Sequence, residues 1–289
     1  MWFLLALTFA FISSFALIIA KRIMREADEY SYLWLNILFS LPVLIAIILL
    51  FYEIPVFDTS FLFLIFFTVL INALAATLAY RAIKISDLSL VNPISSFNPV
   101  FTALIAYLFM GEKLDVKSIL GILIIILGAY LLQISKLKEG IFRPFKALVN
   151  HKGVQMSFVA YFLWSVTPIL QKTAIFHTTP RVPVFVSFIG LVGSLIVYTP
   201  LVARFSKHPI KIAKKYLWLF LISGFISGIG QAVAFTAFSL GSLGLVTAIF
   251  KLSMLFTVIF GWLFFKERNI RDRLVGSLVM LVGVVLLVV

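Results

Sequence analysis

The chain has 289 residues, of which 63% are hydrophobic and 12% are charged, and its formal net charge is +13. This composition excludes a water-soluble globular domain, because about a quarter of the residues in such domains are charged. The positive charge is dispersed over short connectors between apolar runs, which is typical of membrane topology signals and argues against nucleic acid as a partner.

Ten apolar runs are long enough to cross a membrane, because a spanning helix needs about 20 residues. The first run is not a signal peptide by our interpretation, since it lacks a basic leader and Lys21 and Arg22 follow it at once. We therefore predict an all-α polytopic membrane protein with ten transmembrane helices, and the bilayer is one expected partner. The runs cover about residues 2–20, 31–51, 60–83, 88–110, 116–134, 153–173, 183–203, 216–239, 244–265 and 272–289.

The second half of the chain repeats the first with an offset of 155 residues. Identical residues under this shift include Glu112 and Glu267, and then Gly128 and Gly283. Each repeat holds five predicted spans, and an odd number makes the second repeat enter the membrane upside down. Two inverted repeats around a midplane site are the architecture of many secondary transporters. The predicted divisions are 1–134 for the first repeat, 135–152 for the connector and 153–289 for the second repeat.

Basic residues indicate the orientation of these helices. The connectors on the side of the first connector carry 19 Lys and Arg residues, whereas those on the other side carry four. Because cytoplasmic connectors are enriched in these residues, the count predicts that both termini lie outside the cytoplasm. The cell membrane is the predicted location.

The predicted fourth helix contains two prolines among polar residues. Pro93 and Pro99 each remove a backbone donor, so carbonyl groups one turn earlier lose their partners. Asn92, Ser96 and Asn98 lie beside those carbonyls. Two interpretations stay open: a substrate site in a kinked helix, or a kink capped by local hydrogen bonds.

The predicted sixth helix has a tryptophan near its middle. Interfacial anchoring does not account for Trp164 at this depth. Trp164, Ser165 and Pro168 share one helix face by their spacing. Trp164 either stacks on a ring-bearing substrate or packs between helices.

Two amide side chains lie inside the predicted third and eighth helices. Asn72 and Gln231 need hydrogen-bond partners in hydrocarbon, so both are candidates for a substrate cavity or for structural hydrogen bonds. The serines and glycines that precede Gln231 are better explained by close helix packing.

Lys251 is the most specific signal, because it is the one basic residue placed well inside an apolar run. It lies on the order of 10 Å into the predicted ninth helix, where a lysine costs roughly 2.5 to 3.5 kcal/mol. No acidic residue lies inside any run. Lys251 either binds an anionic group of the substrate or titrates during transport, or it snorkels to an interface. The repeat offset makes Ser96 its equivalent, so we expect both to face one cavity.

An acidic residue follows the end of the predicted fourth helix, and another follows the end of the predicted ninth helix. Glu112 is followed by Lys113, and Glu267 is followed by Arg268. Ion pairs that hold the helix ends at the interface are the favoured explanation, and gating or proton coupling is the alternative.

One pattern of residues recurs in both halves of the chain. In the first half it consists of Asn98, Pro99, Gly111, Glu112, Gly121 and Gly128. The second half keeps Gly261, Glu267, Gly276 and Gly283. This pattern resembles the drug/metabolite transporter superfamily, in particular its EamA-type branch with two five-helix repeats, and the resemblance covers essentially the whole chain. It implies a carrier or exporter of small metabolites such as amino acids, sugars, nucleotide precursors or drugs, with a central cavity and alternating access.

The chain departs from the family pattern at three points. Ser253 and Met254 stand where the family often has a Glu-Pro pair, and Asn36 stands where many members have an arginine. Family members usually keep both termini in the cytoplasm, whereas the charge count places them outside. We favour the charge count because its bias is large.

Chemistry beyond transport finds little support in the sequence. There is no pair of Asp residues inside a run and no Gly-rich phosphate loop, so we predict neither an enzyme nor an ATP-driven pump. With no cysteine and three scattered histidines, we predict no metal and no cofactor.

The predicted function is secondary transport or export of a small polar metabolite, with amino acids and other carboxylates favoured. One alternative is a flippase or scramblase for an anionic lipid, and another is a membrane sensor that binds a ligand without transport. The internal duplication removes the need for a dimer without forbidding one.

Overall fold

The computed structural model describes residues 1–86, 94–134, 149–265 and 271–288. These residues form helices and one short pair of strands. The helices of the first half are α1 (Trp2–Ile23), α2 (Glu29–Phe51), α3 (Thr59–Ile85), α4 (Asn98–Met110) and α5 (Val116–Ile134). Those of the second half are α6 (Lys152–Phe176), α7 (Pro183–Phe205), α8 (Pro209–Lys215), α9 (Leu217–Leu240), α10 (Leu243–Phe250), α11 (Leu252–Phe265) and α12 (Arg271–Val288). The strands are β1 (Val56–Phe57) and β2 (Thr178–Thr179).

Most of these helices are apolar enough for a bilayer. Among the described residues, six helices are long enough to cross a membrane, namely α1, α2, α3, α6, α7 and α9. The predicted polytopic, all-α class is therefore confirmed. The count of ten spans stays a prediction, because the remaining apolar helices are shorter. These are Asn98–Met110, Val116–Leu131, Leu243–Thr257 and Val275–Leu287.

Contacts divide the chain into two compact units. Unit 1 consists of Met1–Ala73 and Leu170–Leu240, and unit 2 consists of Leu74–Ile169 and Gly241–Val289. Each unit therefore contains segments from both halves of the sequence. Helices α3 and α6 contribute residues to both units.

In unit 1, α9 packs against α1, α2 and α7 through small residues. A Cβ atom at Gly224 would lie 2.5 Å from the Cβ of Phe39 on α2, so only glycine allows this approach. Beside this contact, the Asn36 carboxamide oxygen accepts a hydrogen bond from the Ser223 hydroxyl at 2.7 Å, and its amide donates to Ser227 at 3.2 Å. This geometry agrees with the packing interpretation of the serine and glycine stripe.

Polar contacts join the connectors at both ends of α2. Strand β1 pairs antiparallel with β2, and next to them Asp58 and His177 approach to 2.7 Å. The hydrogen bond from His177 lowers the pKa of the Asp58 carboxyl group. Before α2, the Glu26 carboxylate accepts hydrogen bonds from Lys215 and from the Tyr216 hydroxyl, and these bonds lower its pKa.

In unit 2, α5 and α12 are in close contact along their glycines. A Cβ atom at Gly128 would lie 2.5 Å from the backbone nitrogen of Met280 and 2.7 Å from the carbonyl oxygen of Gly276. A Cβ atom at Gly283 would lie 2.8 Å from the backbone nitrogen of Ile125. The glycines of the recurring pattern therefore let two helix backbones touch.

The predicted ninth helix is broken, which corrects the continuous helix that its apolar run over 244–265 indicated. Helix α10 ends at Phe250, and α11 begins at Leu252. At the break, the N–H of Lys251 donates to Ala248 at 3.1 Å, and the N–H of Met254 donates to Lys251 at 3.0 Å. These bonds span three residues instead of the four of an α-helix.

The first half has a break at the equivalent place. The N–H of Phe97 donates to Ile94 at 3.2 Å, and a turn at Ser96 and Phe97 precedes α4. Ser96 is the equivalent of Lys251 under the 155-residue shift. Both halves of the chain therefore interrupt a helix at corresponding positions.

Candidate functional site

Lys251 lies at the junction of α10 and α11 and is half-buried. The last carbonyl groups of a helix lack their usual partners, and the C-terminal end of the helix dipole carries partial negative charge. A cation at the end of α10 is therefore better placed than a lysine in the middle of a continuous apolar helix. The break explains locally how this residue is accommodated in an apolar segment.

An aromatic ring of α6 lies next to this lysine, and a second ring packs against the first. The Lys251 Nζ atom is 5.6 Å from the centroid of the Tyr161 ring, which is within the range of a cation–π interaction. The Tyr161 and Trp164 rings are 5.5 Å apart with an interplanar angle of 57°. Tyr161 and Trp164 are three residues apart, so they share one face of α6.

The segment before α4 packs against the same tyrosine. The Asn98 amide donates a hydrogen bond of 2.9 Å to the backbone oxygen of Tyr161. Ser95 lies beside the Tyr161 hydroxyl. Ser96 is fully buried, and its hydroxyl has no hydrogen-bond partner among the residues that the structure describes. Since a buried hydroxyl without a partner is costly, Ser96 is a candidate donor or acceptor for a bound molecule.

Three of the predicted substrate residues, Lys251, Asn98 and Trp164, thus lie around Tyr161 in unit 2. Ser96, two residues before Asn98, belongs to the same unit. A fifth, Ser165, is also in unit 2, but its buried hydroxyl donates to the carbonyl oxygen of Phe162 on its own helix. This bond gives Ser165 a local partner.

The other predicted residues are placed elsewhere. Asn72 on α3 and Gln231 on α9 are half-buried and belong to unit 1. Pro168 lies inside α6, and Pro99 lies in the first turn of α4, where the missing N–H is tolerated. Asn92, Pro93 and Glu267 lie outside the described residues.

Glu112 contacts the second half of the chain. Helix α4 ends at Gly111, which adopts a left-handed conformation with φ 67°. The Glu112 carboxylate that follows accepts hydrogen bonds of 2.8 Å from the Ser242 hydroxyl and from the N–H of Leu243. The sequence favoured an ion pair that holds the helix end at the interface, which stays a prediction, and the structure places this carboxylate at the N-terminus of α10.

Sequence reasoning missed two residues. Tyr161 was not singled out, although its spacing from Trp164 was an available signal. Lys172 was assigned to the end of a span, but α6 continues to Phe176 and the side chain is 9% exposed. Lys172 belongs to unit 1.

The arrangement in unit 2 has the chemistry of a binding site. It combines an ammonium group, two aromatic rings and a buried hydroxyl. Within the described ranges, His, Asp and Glu residues form no group of three or more that could hold a metal ion.

The fold is shared with a protein of known crystal structure. The TM-score is 0.81 at 13% sequence identity, and the match covers 99% of this chain and 97% of that chain. At this identity the likeness concerns the fold alone.

Two curated relatives are named as uncharacterized transporters. The protein of Methanothermobacter thermautotrophicus is 29% identical over 225 residues, which cover 76% of this chain and 62% of the relative. The protein of Archaeoglobus fulgidus is 25% identical over 209 residues, which cover 72% of this chain and 68% of the relative. The chain thus spans less than two thirds of the length of the first of these relatives.

The apolar helices define the class as a multi-pass membrane protein, and both relatives carry transporter names. The chain belongs to the EamA-like transporter family, which it matches over residues 1–134 and 151–289. The two matched stretches correspond to the two repeats found in the sequence. The resemblance seen there is confirmed.

Proposed function

We propose that this transporter is a secondary carrier for small metabolites bearing a carboxylate group, with amino acids as the first candidates. The observation that supports this substrate class most is the position of Lys251. Its ammonium group lies at a helix break in an apolar segment, beside the ring of Tyr161, which in turn packs against Trp164.

The charge of Lys251 needs an anion. A lysine inside a membrane protein is expensive unless it meets a counter-charge or water, and every acidic residue lies at or outside an end of the ten apolar runs. A substrate carboxylate would supply this counter-charge through hydrogen bonds that are stronger than neutral ones. The adjacent rings would contact the apolar part of the same molecule.

Alternating access is the proposed transport mode. Carriers with inverted repeats often bind substrate where helices are interrupted, because the helix ends present unsatisfied backbone groups there. This chain interrupts a helix at Ser96 in the first half and at Lys251 in the second. Corresponding breaks in two inverted halves support a mechanism in which the two halves exchange roles.

Counterflow uptake into proteoliposomes tests the proposal. Vesicles preloaded with one unlabelled compound would be given the labelled compound, over a panel of amino acids, small organic anions and cationic drugs. We expect uptake of a zwitterionic or anionic member, reduced by about tenfold or more in Lys251→Ala, because a hydrogen bond to a charged group contributes roughly 1.5 to 3 kcal/mol. Lys211→Ala, which removes an exposed lysine of α8, is the matched control and should leave uptake unchanged.

Two outcomes would contradict the proposal. Uptake that is equal in the wild type and in Lys251→Ala would make Lys251 a structural residue. Uptake of cationic drugs alone would reject the carboxylate class. If nothing on the panel is taken up, a fluorescent anionic lipid in the same vesicles would test the flippase or scramblase alternative.

A further inference from the structure

The N-terminus of α10 is capped by a residue from the other half of the chain. Helix α10 begins at Leu243, and in the described residues the side chain of its own N-cap residue, Ser242, makes no capping bond to the helix. Instead, one oxygen of the Glu112 carboxylate accepts from the Ser242 hydroxyl and from the Leu243 N–H, each at 2.8 Å. A carboxylate at this place satisfies an orphan donor and complements the helix dipole.

The same end of α10 is closely enclosed. A Cβ atom at Gly244 would lie 2.7 Å from the Cβ of Ala103 on α4 and 3.4 Å from a methyl group of Leu114. Leu114 and Glu112 belong to the short connector between α4 and α5. The connector therefore contacts the first turn of α10 both through a carboxylate and through an apolar side chain.

Helix α10 is a short, buried element with Lys251 at its other end. Val246, Ala248 and Ile249 have no exposed surface. At 1.5 Å per residue its eight residues span about 12 Å. A shift of its N-terminus at Leu243 would therefore bear on Lys251, which follows its last turn.

We propose that Glu112 is a positioning residue, which places Lys251 by holding the N-terminus of α10, and that neutralising this carboxylate loosens α10. The role for transport rests on the proposed function, since it concerns the residue assigned to the substrate carboxylate. The capping role itself is independent of any substrate.

The chain segments next to Glu112 carry the following titratable groups. From Ser242 to Phe250 the chain has no titratable side chain, so α10 contributes only backbone N–H groups and hydroxyls. Helix α4 contributes the exposed Tyr107. The charged groups of the connector and of the first turn of α5 are Lys113, Asp115 and Lys117.

Asp115 provides a matched control. Its carboxylate accepts a hydrogen bond of 3.0 Å from the Ser118 N–H and thus caps its own helix, α5. Glu112 and Asp115 are three residues apart on one connector, and both cap a helix. Of these two carboxylates, the Glu112 group is the one that accepts a hydrogen bond from the first turn of α10. If substitutions in the connector loosened it in general, replacing Glu112 or Asp115 would expose α10 to the same extent. The proposal requires that only the Glu112 substitution exposes α10.

Cysteine labelling can measure the release of α10, because the natural chain contains no cysteine. Val246→Cys would place a thiol at a fully buried position of α10, and Ala248→Cys would serve in the same way if the first variant folds poorly. We expect Glu112→Gln, which keeps the shape but loses the charge, to raise the rate of maleimide labelling by about tenfold, as for the loss of a helix cap. Asp115→Asn should leave that rate unchanged. Equal labelling rates with Glu112 and with Glu112→Gln, or an equal increase in Asp115→Asn, would overturn the proposal.

Transport measurements then test the link to Lys251. In the otherwise wild-type protein, Glu112→Gln should raise the half-saturating substrate concentration. In Lys251→Ala, the same substitution should cause no further loss of transport, because the effects of two residues that act through one another are not additive. Additive losses would overturn this link. The labelling experiment requires no transport. If the proposed substrate class is wrong, the labelling rates therefore still decide whether Glu112 caps α10.

Discussion

At the scale of residues, the site in unit 2 depends on neighbours that a lysine rarely has in an apolar segment. The end of α10 carries the partial negative charge of the helix dipole, and the Tyr161 ring offers a negative face at 5.6 Å from the ammonium nitrogen. Both interactions are weaker than a full ion pair. The proposed substrate carboxylate would supply the full counter-charge that these groups do not.

Substitution of Tyr161 should separate its ring from its hydroxyl. Tyr161→Phe keeps the ring next to Lys251, so counterflow should stay within about twofold of the wild type, whereas Tyr161→Ala should reduce it by about tenfold. Uptake rates and half-saturating concentrations of both variants would be measured in the same vesicles. Equal losses in the two variants would assign the effect to the hydroxyl beside Ser95 instead.

Single residues differ in how well sequence could predict them. Lys251 and Trp164 were recognised because a charge or an indole inside an apolar run violates a composition rule that needs no structure. The contact between Glu112 and Ser242 was not recognised from sequence. Ser242 lies 130 residues further along the chain, and only the fold brings the two residues together. An ion pair with the neighbouring Lys113, which the sequence favoured, stays a prediction.

At the scale of elements, the two helix breaks have different origins. Before α4, Pro99 marks the place where a helix must restart, so the sequence carries a signal there. At Lys251 the flanking residues are apolar and contain no proline, and hydropathy alone reads a continuous helix over 244–265. The structure shows two helices because hydrogen bonding at the break depends on packing, which a hydropathy pattern does not record.

The α5–α12 contact gives an element-scale test. Gly128→Ala would push a methyl group to 2.5 Å from the backbone nitrogen of Met280, so we expect a loss of about 1 to 3 kcal/mol in stability. Gly190→Ala is the control, because no described atom outside its own helix lies within 4 Å of that Cβ position. Thermal unfolding in detergent would measure both. A melting temperature that is unchanged in Gly128→Ala would contradict the close α5–α12 contact.

At the scale of the whole molecule, the duplication and the compact units divide the chain differently. The 155-residue offset and the family match separate the first half from the second. Each compact unit, however, takes segments from both halves. Similarity between the two halves records the duplication, so the repeats could be predicted from sequence. Packing decides which helices share a core, so the compact units could not.

Membrane orientation is a second property of the whole molecule. The bias of 19 basic residues against four leads us to expect α8 in the cytoplasm and the connector after α2 outside. Single cysteines at Lys211 and at Glu53, both exposed, would be tested in intact cells with a maleimide that does not cross membranes. Labelling at position 53 alone supports this orientation. Labelling at position 211 alone would place both termini in the cytoplasm.

The measurement that tests the carrier account most directly pairs a change in the substrate with a change in the protein. Counterflow of a transported amino acid would be compared with that of its amide, which lacks the carboxylate, in the wild type and in Lys251→Ala. We expect the wild type to prefer the acid by about tenfold or more and the variant to show almost no preference. The same preference in both proteins would contradict the account, because the carboxylate would then be recognised by a group other than Lys251.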